Sequence, residues 1–491
     1  MHGLLATSLG VTCAAALTLP LAPPAGAAPE PPAPMAEAAA AVAGAARPDL
    51  PQAPGAPPRA ASATPDLPGS TQSLPLAPLA RDRALGGAGD QGLPRRDVRH
   101  FSLLGVVWND PDTPLHGRVQ VRTRAAGTHA WSGWQDLETH NDDHGADPGT
   151  AERTSGHVRA GTAPLWVGDS DGVEVRVHGE DTDRHGGTGT TRAALTTPGA
   201  AAALPKGLRL ELIDPGTEDT RAVHLSAEAA GTRQLRPAAL DAEARAASAA
   251  NADLAPVGAL EIPALDRAQT RSELLSLRSG QLTAAQKAKP YIGPRPRIVT
   301  RRGWGADEKL REKSFVYTSK VKAAFVHHTA SGNTYKCSQA PSLIRGIYRY
   351  HVRSMGWRDI GYNFLVDKCG TIYEGRAGGV AKAVLGAHTL GFNTNSMGIA
   401  VIGTFGSTKP PAAAVTAVAR LTAWKLGLYG GNPKGKTYLK SGGGNLYRKG
   451  KNVRLNVISG HRDGFATECP GRQLYGKLGT ARSSAARLQG R

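Results

Sequence analysis

Three short runs, FVHHT, SGHRD and TECPG, constrain the fold of this 491-residue chain more than any other feature. They carry His327, His461 and Cys469. Two imidazoles and a thiolate suit a borderline-soft cation such as zinc. To grip one ion, residues far apart in the chain must converge on rigid strand ends and loops. Three protein ligands rather than four leave one coordination position for water, and zinc-held water loses its proton near neutral pH and can attack a carbonyl. The trio therefore points to a hydrolase rather than a structural site. Taken singly, each member has a plainer reading. A His on an apolar strand is usually packed core, and Cys469 suits a buried small hydrophobe or half of a disulfide.

The flanking residues weigh against the plain readings. Between about Pro294 and Leu478 the chain contains RPRIVTRRGWGAD, FVHHTA, WRDIGYNFLVD, GTIYEGRAGG, GAHTLGFNTNSMGIAVIG, SGHRD and TECPG. In order and spacing this series resembles the peptidoglycan recognition protein family of zinc N-acetylmuramoyl-L-alanine amidases (amidase type 2). Actinobacterial members likewise carry a β-rich region before the amidase domain. The resemblance implies an α/β domain with a mixed central sheet flanked by helices, and Zn2+ held by His327, His461 and Cys469. It implies hydrolysis of the amide joining N-acetylmuramic acid to L-alanine, with peptidoglycan (muramyl peptides) as partner. Tyr362 of GYNF would stand near the attacking water. Thr467, two residues before the ligand cysteine, would donate to the developing oxyanion, a contribution of ~3 kcal/mol. On their own, Tyr362 reads as a buried aromatic and Thr467 as a turn residue. Arg376, His388 and Asn393 lie in runs that line the substrate groove of relatives, and His351 is a further candidate; packing or surface roles are the alternative for all four.

Several residues fall outside that set. His328 should point away from the metal, because strand side chains alternate. Glu374 reads as structural or groove-lining. His140 and His144 in HNDDH form no ligand spacing and read as loop residues. Ala377 and Gly378, following EGR, match neither pair that separates diaminopimelate from Lys stems in animal members. A non-catalytic recognition protein is the main alternative function. Such relatives characteristically lose the ligand cysteine, which is present here. A wall-anchored structural protein is a second alternative.

The setting follows from the ends and the cysteines. LLATSLGVTCAAALTLPLA followed by Ala25-Gly26-Ala27 reads as a signal peptide over residues 1–27, hence a secreted protein with no integral membrane segment in the mature chain. Cys13 leaves with the signal. With Cys469 committed to metal, Cys337 and Cys369 remain as a pair in an oxidising compartment and are predicted to form a disulfide. Animal members instead place both partners close together near the first helix.

Five further segments follow. Residues 28–97 are Ala/Pro-rich and read as a disordered leader. Residues 98–215 alternate apolar and polar positions in short runs such as VQVRTR, the mark of a small all-β domain, with a sandwich expected. Trp131 and Trp134 in WSGW offer a carbohydrate-binding face as the alternative to core roles. Residues 216–290 read as a linker, 291–480 as the amidase domain, and 481–491 as a C-terminal tail. From Tyr291 onward the net charge is +25, against −6 before it. No nucleic-acid-binding motif accompanies this basic half. Anionic cell-wall polymers are the candidate partner, and a basic solvated face is the alternative.

Overall fold

The computed structural model describes residues 69–79, 90–139, 143–180, 203–216 and 240–491. The signal peptide, most of the leader, His140 and part of the linker lie outside the described residues. Among those described, no helix is long and apolar enough to cross a membrane.

The N-terminal domain is all antiparallel β. The strands Ser70–Pro75, Ala77–Pro78, Gln91–Trp108, Gly117–Ala125, Gln135–Leu137, Ala160–Gly161, Leu165–Gly179 and Arg209–Asp214 form one eight-stranded sheet. Its longest pair, Gln91–Trp108 with Leu165–Gly179, contains three register shifts. Bulges bend a strand and raise its twist, so the sheet curls around its own core of Phe101, Leu104, Val106, Val119, Val175 and Leu210. Alternation in VQVRTR puts Val119 and Val121 inside. Two boundaries differ from the sequence reading. Ser70–Pro75 and the start of Gln91–Trp108 fell in the expected leader, but their residues complete this sheet. Their Pro and charge content masked strands whose partners lie far along the chain. Trp131 and Trp134 are half-buried and each carries an arginine over its ring: Arg95 stands 5.0 Å over Trp131, and Arg176 stands 3.8 Å over Trp134.

The C-terminal domain is built on a seven-stranded mixed sheet. Its spatial order is Ile458–Gly460, Ala323–His328, Ser396–Val401, Phe364–Val366, Ile372–Glu374, Ile298–Val299 and Glu261–Ile262. Ala323–His328 runs parallel to both its neighbours and is buried throughout, as a parallel strand covered on both faces should be. On one face Val326, Phe364, Ile399 and Val401 pack against the helices Ala412–Gly427 and Leu478–Gln489. On the other, Leu365 and Ala400 meet Ile344 and Ile347 of the helix Ala340–Arg349. Pro341 sits in the first turn of that helix, where its missing N–H costs nothing. Lys436–Lys440 and Asn452–Asn456 form a separate two-stranded antiparallel hairpin.

Two more boundaries move. The expected linker carries the helices Ala242–Ala249 and Arg267–Arg278 and the edge strand Glu261–Ile262, which pairs with Ile298–Val299. Asn251 from this stretch donates to Glu374 at 2.8 Å in the interior. The expected tail belongs to Leu478–Gln489, whose Ala481 and Ala485 are buried against the core. In both places Ala-rich composition concealed small residues selected for close helix packing.

Cys337 and Cys369 form a disulfide, tying the turn before Ala340–Arg349 to the Lys-Cys-Gly turn between two strands. Their separation of 32 residues corresponds to about 3–4 kcal/mol of unfolded-state entropy. The Cys337→Ala/Cys369→Ala protein is therefore expected to lose about 3 kcal/mol in urea unfolding. A loss below about 1 kcal/mol would show that the reduced chain retains equivalent order.

The two domains share a core. Leu103, Val107, Trp166 and Ile213 of the β domain join Ile347, Tyr350, Met355 and Trp357. The Tyr350 hydroxyl donates to the Thr162 carbonyl at 3.0 Å. A Cβ on Gly105 or Gly161 would stand within 2.7 Å of that hydroxyl, so both glycines permit the close approach.

Candidate metal centre

Parallel pairing places two of the predicted ligands side by side. Val326 is in register with Gly460, so His327 and His461 follow at adjacent strand ends. Val326 packs on the helix face of the sheet, and alternation turns His327 to the opposite face. The turn His461–Asp463 is held by its own motif: the Asp463 carboxylate accepts from Gly460 N at 2.9 Å and from the Tyr475 hydroxyl at 2.6 Å. His327 Nδ1 and His461 Nδ1 stand 3.0 Å apart, and Cys469 Sγ is 3.8 Å from His327 Nδ1. Donors around a tetrahedral zinc are separated by roughly 3–4 Å. His328 points away, accepting from Phe405 N at 3.2 Å.

A fourth residue joins them. His144, expected to be an ordinary loop residue, completes a buried group with His327, His461 and Cys469 whose donor atoms all lie within 4.8 Å of one another. Its ring centroid is 4.6 Å from that of His461. Its Nδ1 pairs with Asp143 Oδ1 at 2.6 Å, while its Nε2 is buried without a hydrogen-bond partner. The Nε2 of His461 is likewise buried and unpartnered. Nothing in the spacing of HNDDH signals this role, because the residue arrives from another domain.

The electrostatics suit a cation. Burial pushes His461 down to about 3 and holds His327 well below the ordinary imidazole range, so both rings are neutral, as ligands must be. Burial also pushes the Cys469 thiol up, with the nearby Asp143 carboxylate adding to the effect. Burial alone would raise Asp143, but His144, His461 and Thr467 outweigh it and keep the carboxyl well below its usual range. Neutral imidazoles and a thiol buried beside an ionised carboxylate are the donor set a dication would satisfy.

Tyr362 and Thr467 border this group. The Tyr362 ring lies 5.5 Å from His327 and 5.7 Å from His144. Burial, then Cys469 and Asp143, raises its hydroxyl well above the ordinary phenol range, so it stays protonated. The Thr467 hydroxyl accepts from Cys469 N at 3.1 Å and also hydrogen-bonds the Asp143 carboxylate. Thr389, which the sequence reading missed, links two rings: its hydroxyl is 3.4 Å from His327 Nε2 and 3.0 Å from His388 Nδ1. Such a contact fixes ring orientation and leaves His327 Nδ1 to face the other ligands.

Comparison with known proteins agrees with this architecture. Residues 317–472 match the family profile described as N-acetylmuramoyl-L-alanine amidase, and residues 58–202 match an N-terminal galactose-binding domain-like profile. Peptidoglycan-recognition protein 1 of Holotrichia diomphalia is 31% identical over 184 residues, covering 37% of this chain and 79% of that protein. The chain belongs to the peptidoglycan recognition protein family. Peptidoglycan-recognition protein SC2 of Drosophila simulans is 29% identical over 183 residues, 37% of this chain and 85% of the relative. The N-acetylmuramoyl-L-alanine amidase of Homo sapiens is 30% identical over 202 residues, 41% of this chain and 30% of that protein. The all-β domain is accordingly galactose-binding-like.

The residues that the family likeness assigned to the groove are all buried, and two of them are engaged by the β domain. Arg376 forms a two-point pair with Glu152, at 2.9 and 2.8 Å, and donates from Nε to the Ile360 carbonyl at 2.9 Å. Asn393 accepts from His388 N at 2.7 Å and donates to Asp147 Oδ1 at 2.6 Å. His388 packs its ring 5.3 Å from His327. His351 lies on a π turn, Tyr350–Ser354, stacked 4.4 Å from Trp357, and its Nδ1 accepts from Gly361 N. Glu374 is structural. It accepts from Asn251 and from Arg301 N, and burial pushes it up to about 7.

Proposed function

We propose that this protein is a secreted, zinc-dependent amidase that cleaves the bond between N-acetylmuramic acid and L-alanine in peptidoglycan. The observation that carries the reading is the convergence of His327, His461 and Cys469 on one point beside Tyr362 and Thr467. The presence of Cys469 in that cluster favours hydrolysis over recognition alone. A zinc ion held there supplies Lewis acidity toward water and toward the amide carbonyl. Tyr362, protonated and fixed by packing, orients the attacking water. Thr467 donates to the oxygen on which charge develops. Arg376 is a buried guanidinium that needs an anionic partner; Glu152 fills that place here, and a stem-peptide carboxylate has the chemistry to take it over. The Asn393 amide, which donates here to Gly145 and Asp147, would meet the same ligand once those contacts open. The basic half of the chain favours association with anionic wall polymers.

The deciding experiment is mass spectrometry of purified peptidoglycan after digestion by the full-length protein and by its His144→Ala variant, with and without chelator. Free stem peptides bearing N-terminal L-alanine, lost with chelator, are expected. Crosslink cleavage, or no product from either protein, overturns the reading.

Metal uptake should carry a defined pH signature. His327 and His461 are already neutral, whereas the Cys469 thiol is held protonated. Among these three ligands, binding therefore releases one proton, from Cys469, and acid competes with the metal at that thiol. Zinc affinity is expected to rise ~10-fold per pH unit between about pH 5 and 8. Competition with a chromogenic chelator checks this. A ~100-fold rise per unit would show that a ligand imidazole also titrates.

A further inference from the structure

Residues 143–152 belong in sequence to the β domain, yet they pack on Asn393 and Arg376 of the other domain, residues that the family likeness assigns to its groove. The Asp143 carbonyl accepts from Leu390 N at 2.9 Å. The Gly145 carbonyl accepts from Asn393 Nδ2 at 2.8 Å, and Asp147 Oδ1 accepts from Asn393 Nδ2 at 2.6 Å and from Gly391 N at 2.8 Å. Glu152 then closes the segment with its two-point pair to Arg376. His144 lies between these anchors, at the metal cluster. A carboxylate on one ring nitrogen and a buried, unsatisfied second nitrogen is how metal-ligating histidines are oriented. The cavity beside the cluster is about 10 Å³ and is lined by Glu138, His144 and Ala163 together with Tyr362, Thr467 and Cys469. That is room for about one water and no more.

We propose that His144 is a fourth protein ligand of the metal, and that the segment from Asp143 to Glu152 is an internal occupant of the muramyl-peptide groove that withdraws before substrate binds. The proposal rests on the amidase reading above. Four protein ligands make a closed zinc site, whereas three with an open position make a catalytic one. The same ion is thus structural while His144 is seated and catalytic once it leaves. The groove contacts follow the same logic. Asp147 and Glu152 offer carboxylates to Asn393 and Arg376, the chemistry that an acidic stem peptide also offers. Substrate binding exchanges one carboxylate for another, so the buried Arg376 is never left without an anion, which would be strongly unfavourable.

The test uses the full-length protein loaded with Co(II), followed by visible absorption during titration with azide. The wild-type spectrum is expected to be insensitive to azide, and the His144→Ala spectrum to shift as azide takes the vacated position. Calorimetry with a muramyl tripeptide is expected to show at least ~10-fold tighter binding by the variant. His144→Gln fills the same volume without a ring nitrogen; it supplies the same comparison, at an unchanged melting temperature, if the alanine variant misfolds. Equal azide responses in wild type and variants overturn the fourth-ligand assignment and leave the amidase reading intact. Unchanged tripeptide affinity overturns the groove occupancy. Failure of every form to bind cobalt overturns the metal centre, and the proposed function with it.

Discussion

Replacing Cys469 with alanine is expected to lower amide hydrolysis by on the order of 10³-fold or more while leaving the fold in place. The thiolate is the anionic member of the donor set; without it, neutral imidazoles alone would hold a dication in a buried pocket. Metal affinity should therefore collapse. Stability should change little, because deletion of one small buried side chain leaves a minor cavity costing about 1 kcal/mol. Cys469 makes no disulfide that its loss would break. Metal content by elemental analysis and initial rates on a muramyl peptide check both halves, with rates measured also in a His144→Ala background where the groove is open. Retention of a tenth of the activity, with metal still bound, would mean that the sulfur is not a ligand. Loss of the thermal transition would mean that its role is structural.

The parts of this site visible in the sequence are those whose partners share its sheet. FVHH carries a buried strand's apolar character, and alternation assigned His327 and His328 to opposite faces, as the Phe405 contact of His328 shows. The apolar runs of MGIAVIG and of the Ala412–Gly427 helix carry their burial in the same local way. His144 was invisible for a physical reason. Its neighbours are polar, its loop has no period, and its partners lie in another domain, so no local pattern reports its environment. Glu152 was hidden in the same way, and with it the reason Arg376 can stand buried. The strands at 70–75 and 91–97 were lost because composition reports average solvation, whereas a β pairing is made with a distant partner. Asn251 and Ala481 show the same failure at the expected linker and tail.

Arg301→Met is expected to destabilise the chain by about 3–5 kcal/mol, a far larger effect than its unremarkable place in TRRGWG suggests. The guanidinium is almost wholly buried. Its Nε donates to Glu308 Oε1 at 2.7 Å and its Nη1 to Asp359 Oδ1 at 3.1 Å. Arg311 pairs with the other oxygen of Glu308 at 2.6 Å, so the cluster contains two cations and two anions away from water. Removing Arg301 leaves two carboxylates facing one remaining guanidinium. Methionine restores the packing but none of the charge, and the penalty of uncompensated burial exceeds what the apolar side chain returns. The damage should reach the groove. Asp359 Oδ2 also accepts from Ala377 N at 2.9 Å, and Arg301 Nη1 donates to the Gly375 carbonyl at 2.5 Å, so the residues on both sides of Arg376 hang on this network. Urea unfolding of the full-length protein measures the first effect. A raised KM for muramyl peptide at temperatures where the variant is folded measures the second. A stability loss under about 1 kcal/mol would show that water enters to solvate the carboxylates, and that the network orders the Arg376 segment without holding the domain together.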